Sequence, residues 1–454
     1  MLGSSLLVII CILLIFFLIR VKRPNNFPPG PPPIPIFGNL LQINLANPLK
    51  DFERFAEKYG NIFSFYTGSR PAVLLNSFAV IKDALVTKAQ DFSGRPQDFM
   101  ISHATENKGI VLADYGPVLK DHRRFALMTL RNFGLGKHSM EERILGEISH
   151  ILDYLDYPTN LICINNNLRF YVLFYQIYDT FPVLRILPLP FKKAFDNVKI
   201  IKSMNQKLID EHKSTRVPGE PRDFIDCYLD ELDKGKNCVS TFCEDKLLMN
   251  IMDLHFAGTD TISNTLLTAF LYLMNHPEVQ VKCQQEIDDV LEGKDQASYE
   301  DRHNMPYTQA VIHEVQRVSN TVPLSVFHST TRDTELMGYN IPKGTIIIPN
   351  LTSVLKEDGQ WKFPHEFNPA NFLNEQGQFE KPEAFIPFSA GLRVCLGESL
   401  ARMELFLVFV TLLRRFQFVW PEDAGKPDYT PVFGLTFTPK PYRMHIRQRD
   451  TVKQ

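Results

Sequence analysis

The segment Phe388-Ser389-Ala390-Gly391-Leu392-Arg393-Val394-Cys395-Leu396-Gly397 sets a thiol, a guanidinium, two glycines and an aromatic ring directly ahead of a helical pattern running to Phe416. A cysteine at a helix N-terminus meets the positive end of the helix dipole and free backbone N–H groups. Both lower the thiol pKa and suit it to bind a metal as thiolate. Gly391 and Gly397 let the backbone turn tightly and approach a flat partner, while Arg393 is placed to pair with an anionic group. Phe388 is placed to shield the sulfur from water and oxidation.

Two further groupings have the spacing of chemistry. Ala257-Gly258-Thr259-Asp260-Thr261 puts a glycine and then an acid and an alcohol inside an apolar helical run. Glycine weakens a helix, so its presence there suggests a local opening of the hydrogen-bond ladder that small molecules could use. Glu314 and Arg317 are spaced i, i+3 on one helical face, close enough for an ion pair.

The elements that must position these groups are mostly helical. The longest runs from about Glu244 to His276 without a proline and is apolar on nearly every face, as expected of a helix crossing a protein interior. Pro277 restarts a second helix, and Thr308 to Ser319 and Gly397 to Phe416 supply two more. Two β regions interrupt the pattern. Ile62 to Asn76 turns at Thr67-Gly68-Ser69-Arg70-Pro71, and Leu336 to Ile348 is expected to pair around Asn340-Ile341-Pro342-Lys343-Gly344. No second linker, repeat or low-complexity tract follows the N-terminal region, so residues 34–454 read as one catalytic unit.

A formal charge of -2 gives no footprint for nucleic acid. With 44% hydrophobic residues and 35 Phe the chain is globular with a large apolar core. Seven irregularly spaced cysteines argue against a disulfide framework and for a reducing compartment. Residues 1–19 carry no charge and end at Arg20, Lys22 and Arg23; as a helix they span about 28 Å, roughly one hydrocarbon core. The basic cluster after the span puts the bulk of the protein on the cytosolic side. Residues 20–33 combine that stop-transfer cluster with a proline-rich hinge, Phe27-Pro28-Pro29-Gly30-Pro31-Pro32-Pro33, which is too stiff for a helix.

The cysteine segment resembles the haem-binding signature of the cytochromes P450, F-x-x-G-x-R-x-C-x-G, at every defined position. The resemblance implies a mainly α fold with small β-sheets, the cytochrome P450 fold, as a single catalytic domain behind an N-terminal transmembrane helix. It implies Cys395 as the axial ligand of haem b (iron protoporphyrin IX), with Phe388, Gly391 and Gly397 shaping the loop. Thr261 and Asp260 match the family's oxygen-activation motif, with Asp260 helping to deliver protons. Arg123, His328 and Arg393 are assigned to the haem propionates. Glu314 and Arg317 match the family's buried E-x-x-R pair, a structural support for the loop. Its third partner comes from Pro369-Ala370-Asn371-Phe372, where Asn371 replaces the usual Arg.

In detail the chain looks most like the vertebrate microsomal P450s of family 2, through Phe92-Ser93-Gly94-Arg95-Pro96, Phe125-Ala126-Leu127 and the motifs above. Two departures stand out. Leu119 occupies a position where the family has a propionate-binding Trp, and the segment near 150–180 is several tens of residues shorter than in relatives. The resemblance implies a monooxygenase that inserts one atom of O₂ into a lipophilic substrate: a xenobiotic, fatty acid or steroid. Electrons would come from NADPH through NADPH-cytochrome P450 reductase, with cytochrome b5 as a second partner, at the cytosolic face of the endoplasmic reticulum membrane. Candidate cavity linings are Arg95 to Ala113, Ile251 to Thr261, Val322 to Phe327 and Val432 to Thr436. The alternatives are a catalytically inactive haem- or partner-binding variant, and a cysteine hydrolase that would need a histidine beside Cys395.

Overall fold

The computed structural model describes residues 23–133, 138–155, 162–163, 178–187, 189–234 and 241–449. The expected anchor at 1–19 and most of the shortened segment near 150–180 lie outside the described residues. Among those described, no helix is long and apolar enough to cross a membrane.

Helix α1 (Leu49–Tyr59) leads into a hairpin of β1 (Ile62–Thr67) and β2 (Arg70–Leu75), paired from Ile62 opposite Leu75 to Thr67 opposite Arg70. Gly68, at φ 62°, makes the turn without the penalty a Cβ would bring. The helices α2 (Pro117–Asn132), α3 (His138–Leu155), α4 (Phe191–Thr215), α5 (Phe224–Lys234) and α6 (Glu244–Asn275) follow, with the short strand β3 (Ile162–Cys163) after α3. Next come α7 (Pro277–Val290) and α8 (Pro306–Ser319). Proline opens α2, α7 and α8, where its missing N–H is one the helix would leave unpaired anyway.

The second β region folds differently from the expectation. Strand β4 (His328–Ser329) is followed by β5 (Thr334–Leu336) and β6 (Tyr339–Ile341), which pair with each other around Met337 and Gly338. Both turn residues have positive φ, 50° and 81°, the geometry that matches the twist of a two-residue hairpin. The strand β7 (Ile346–Pro349) leaves that hairpin and runs parallel to β2, giving a sheet of order β1-β2-β7-β4. Helix α9 (Glu398–Arg415) and strands β8 (Phe416–Val419) and β9 (Arg443–Gln448) close the chain.

The largest apolar core joins α3, α6, α7, α8 and α9 through side chains such as Ile148, Leu273, Ile287, Val311, Leu407 and Leu413, each at most 2% exposed. Helix α6 packs on α4, α7, α8 and α9, and so crosses the centre of the domain as expected. Its middle is not buried, however. His255 to Thr259 are exposed, with Phe256 56% accessible, and a Cβ on Gly258 would meet nothing within 4 Å. The central turns are thus left out of the apolar clusters that the rest of the helix joins. The helix is continuous there, so the break that Gly258 suggested is absent.

Candidate active site

The cysteine loop is held by its own backbone. Cys395 N–H donates to Phe388 O at 3.0 Å, and Arg123 Nη2 donates to Val394 O at 2.8 Å. Gly391 sits at φ 74°, and a Cβ there would lie 1.7 Å from Leu85 O, so the tight approach is to the chain's own backbone. Gly397 caps α9 with ordinary dihedrals and open space where a Cβ would be. Cys395 keeps accessible surface on one side while protein crowds it on the others. That crowding raises the thiol pKa, against the lowering by the Gly397 N–H and Arg123. Without a bound metal, burial thus opposes the helix terminus and Arg123 at this sulfur.

Around this loop the fold gathers cations. Arg393 is 5% exposed and donates through Nη2 to Val111 O at 3.1 Å and Ala113 O at 2.8 Å, while its buried Nη1 has no partner among the described residues. His328, on β4, bonds through Nδ1 to Phe92 O at 2.7 Å, and its buried Nε2 likewise has none among them. Arg95 joins them, bonded to Val111 O, Val326 O and Phe327 O. Burial, and then mutual repulsion with Arg123, push Arg393 down to about 10. Burial and the neighbouring Arg393 push Arg95 down, and burial and Arg95 push His328 down.

Uncompensated buried cations are costly, and the orphaned Arg393 Nη1 among them asks for an anion. Two carboxylates would supply it. A carboxylate at Nε2 would favour the protonated ring, against the burial and the repulsion from Arg95 that disfavour it. The residues present therefore fit a haem with its two propionates. Arg123, His328 and Arg393 come together as expected. Arg95 was assigned only to the cavity wall, and its position in Gly94-Arg95-Pro96 was the available signal. Leu119, at 2% exposure, fills a small apolar cluster with Ile110 and Ala126 and offers no donor.

Asp253, on α6 two turns before Thr261, is a second group sequence reasoning missed. Its Oδ2 accepts from Ile110 N at 2.7 Å and Val111 N at 2.9 Å, anchoring the residue whose carbonyl accepts from Arg393. Its signal was an acid in an apolar helix. Burial pushes its carboxyl up to about 6. Thr261 Oγ1 donates to Ala257 O at 2.7 Å, and Asp260 Oδ2 accepts from Thr436 Oγ1 at 2.5 Å.

Glu314 and Arg317 form a bidentate pair, with both contacts at 2.7 Å, at 0% and 1% exposure. The rest of the guanidinium is taken by the carbonyls of Leu355, Pro364, Phe363 and Glu366. Asn371 Nδ2 donates to both Glu314 oxygens at 3.2 and 3.3 Å. The Asn371 amide, with the Asn368 N–H at 2.8 Å, thus donates to Glu314 in place of the missing Arg. Beside this pair, His313 Nδ1 donates to Gln309 O at 2.7 Å and its Nε2 accepts from Arg402 Nη1 at 2.6 Å. Arg402 also pairs with Glu398 at 2.8 Å and lies 5.2 Å from the Phe388 ring centre, so it ties α8 to the cysteine loop.

A cysteine loop at a helix N-terminus beside a buried cationic cradle is the framework of a haem protein with a sulfur ligand. The chain matches the family model "Cytochrome P450" over residues 28–161 and 158–446, and it belongs to that family. It is 39% identical to cytochrome P450 2D3 of Rattus norvegicus over 97% of each chain. It is 41% identical to cytochrome P450 2F2 of Mus musculus, over 93% of this chain and 94% of the mouse protein. To vitamin D(3) 25-hydroxylase of Sus scrofa it is 40% identical, over 98% of this chain and 99% of the pig protein. The chain is thus a P450 monooxygenase of the family-2 kind, and haem is the cofactor its family implies. The two matched pieces meet at 158–161, and the alignment to the pig protein, 493 positions, is longer than this chain's 454 residues.

Proposed function

We propose that this chain inserts one oxygen atom into a lipophilic substrate, with Cys395 as the axial haem ligand and NADPH as the electron source through a flavoprotein reductase. The observation that carries the reading is the buried cluster of Arg95, Arg123, Arg393 and His328, in which Arg393 Nη1 and His328 Nε2 have no partner among the described residues. Bound haem would supply the activation of dioxygen and its transfer to carbon. The chain's own groups supply the rest. Arg393, Arg95, Arg123 and His328 Nε2 hold the propionates, and Thr261 Oγ1, with its hydrogen on Ala257 O, keeps lone pairs free to accept. Asp260 offers a carboxylate next to it for carrying protons in from the hairpin side.

The cavity stretches around α6 expose Phe256 and Leu435, both 56% accessible, which suits apolar ligands. One relative is named for hydroxylating vitamin D(3), which fits the same class. On the opposite side, a groove of about 520 Å³ lined by Lys120, Arg124, Arg131 and Leu392 abuts the cysteine loop and supports docking of an acidic electron donor. Association with the endoplasmic reticulum membrane through residues 1–19 is supported by exposed Ile36, Phe37, Leu41, Ile186 and Leu187 near the hinge, joined by a Phe37–Phe181 ring contact of 5.6 Å. The inactive alternative is disfavoured because the described part of the site has its cradle and loop in place.

Incubation with purified reductase, NADPH and ¹⁸O₂ tests the reading on a panel of fatty acids, steroids and aromatic compounds. Products carrying one ¹⁸O atom are expected. NADPH oxidation by haem-loaded protein that no substrate stimulates, with no labelled product, would overturn it.

A further inference from the structure

The hairpin following residue 431 closes with Val432 and Thr438 exchanging backbone hydrogen bonds at 2.8 and 3.2 Å. It is tethered to α6 twice. Phe437 N–H donates to Thr321 O at 2.7 Å, and Thr321 Oγ1 in turn lies 3.0 Å from Thr265 Oγ1 on α6. The second tether is direct: Thr436 Oγ1 donates to Asp260 Oδ2 at 2.5 Å across 176 residues of sequence. Leu435, the neighbour of Thr436 at the hairpin tip, is 56% exposed, as is Phe256 one helical turn before Asp260. A ligand packed against Leu435 would therefore bear on the adjoining residue, whose hydroxyl holds the carboxylate.

We propose that Thr436 is a positioning residue, whose hydroxyl sets the orientation of the Asp260 carboxylate and makes it depend on what fills the cavity against the hairpin tip. The inference rests on the proton-carrying role of Asp260 given above. A hydroxyl donating to a carboxylate fixes one oxygen and leaves the other free to exchange protons. Asp260 Oδ1 has no protein partner among the described residues. Loss of the hydroxyl leaves the carboxylate free to rotate, so proton supply falls out of step with electron supply. The two electrons and two protons then leave with O₂ as H₂O₂, where otherwise one oxygen atom enters the substrate and the other leaves as water.

The test compares Thr436→Val, Thr436→Ser and Asp260→Asn in the full-length protein, with haem content checked first. In ligand-free protein, the carboxylate stretch assigned to Asp260 by infrared difference against Asp260→Asn should move in Thr436→Val and return in Thr436→Ser. With reductase and NADPH, the ratio of peroxide to oxygenated product should rise at least threefold in Thr436→Val and return to within twofold of the parent in Thr436→Ser. Adding Thr436→Val to Asp260→Asn should change nothing further. An unmoved carboxylate band, or an equal rise in the Asp260→Asn background, would overturn the inference alone. Unchanged coupling in Asp260→Asn would remove the role of Asp260 and this inference with it.

Discussion

Arg95 and Arg393 share one oxygen: the Val111 carbonyl accepts from Arg95 Nε at 3.0 Å and from Arg393 Nη2 at 3.1 Å. The peptide nitrogen of the same residue is held by Asp253, at 2.9 Å. One loop residue is thus clamped through its N–H and its carbonyl between an acid on α6 and two buried cations, whose side chains bond to no acid among the described residues.

The convergence predicts how haem is retained. Arg95→Met should lower haem affinity on the order of 100-fold, since a desolvated carboxylate losing its cation costs a few kcal/mol. Equilibrium transfer of haem to apomyoglobin measures it, and an unchanged partition would contradict the cradle.

Asp253 predicts a pH dependence. A carboxyl raised on folding binds its proton more tightly in the folded state, so stability falls as pH rises from about 4 to about 6 and is level above. Asp253→Asn keeps an oxygen for both loop amides and removes the titration. The stability of the variant minus that of the parent, from urea unfolding, should grow by on the order of 3 kcal/mol between pH 4 and 6.5. A difference constant across that range would contradict the burial argument.

Gly391 predicts a steric lesion. Ala there places a Cβ 1.7 Å from Leu85 O at a φ of 74°, so the loop must shift. Gly391→Ala should express with less than a tenth of the parent's haem, whereas Gly397→Ala, whose Cβ meets no protein atom within 4 Å, should not disturb the apoprotein's unfolding midpoint. Equal midpoints for both variants would remove the distinction.

Arg402 predicts a spectral change. The charge of Glu398 acts against ionisation of Cys395, and Arg402, held by His313, pairs with that carboxylate. Arg402→Gln should shift the ferrous carbon monoxide complex toward the form without thiolate ligation, most strongly at low pH. Arg402→Lys should recover part of the loss, and a parent-like spectrum in Arg402→Gln would show that the pairing is decorative.

Most of the site was legible because each motif is local. The cysteine loop, the i, i+3 ion pair and the acid and alcohol on α6 all lie within single segments, so spacing together with the family resemblance pointed to them. What was missed joins distant segments. Arg95 reaches the cradle, and Asp253 reaches Val111, only after the loop before α2 folds back against α6. The pairing of the second β region was misread because two positive-φ residues, Met337 and Gly338, make a tighter turn than the proline-containing stretch after them. The burial that opposes ionisation of Cys395 was not legible, because a helix terminus is visible in sequence and burial is not.

The most direct test is the absorbance of the reduced protein under carbon monoxide, before and after Cys395→Ala. The parent should show the red-shifted Soret band of a haem bound through thiolate, and the variant should lose it while keeping the far-ultraviolet signature of a helical fold. A parent without haem, or a variant that keeps the band, would contradict the assignment of Cys395 on which the account is built.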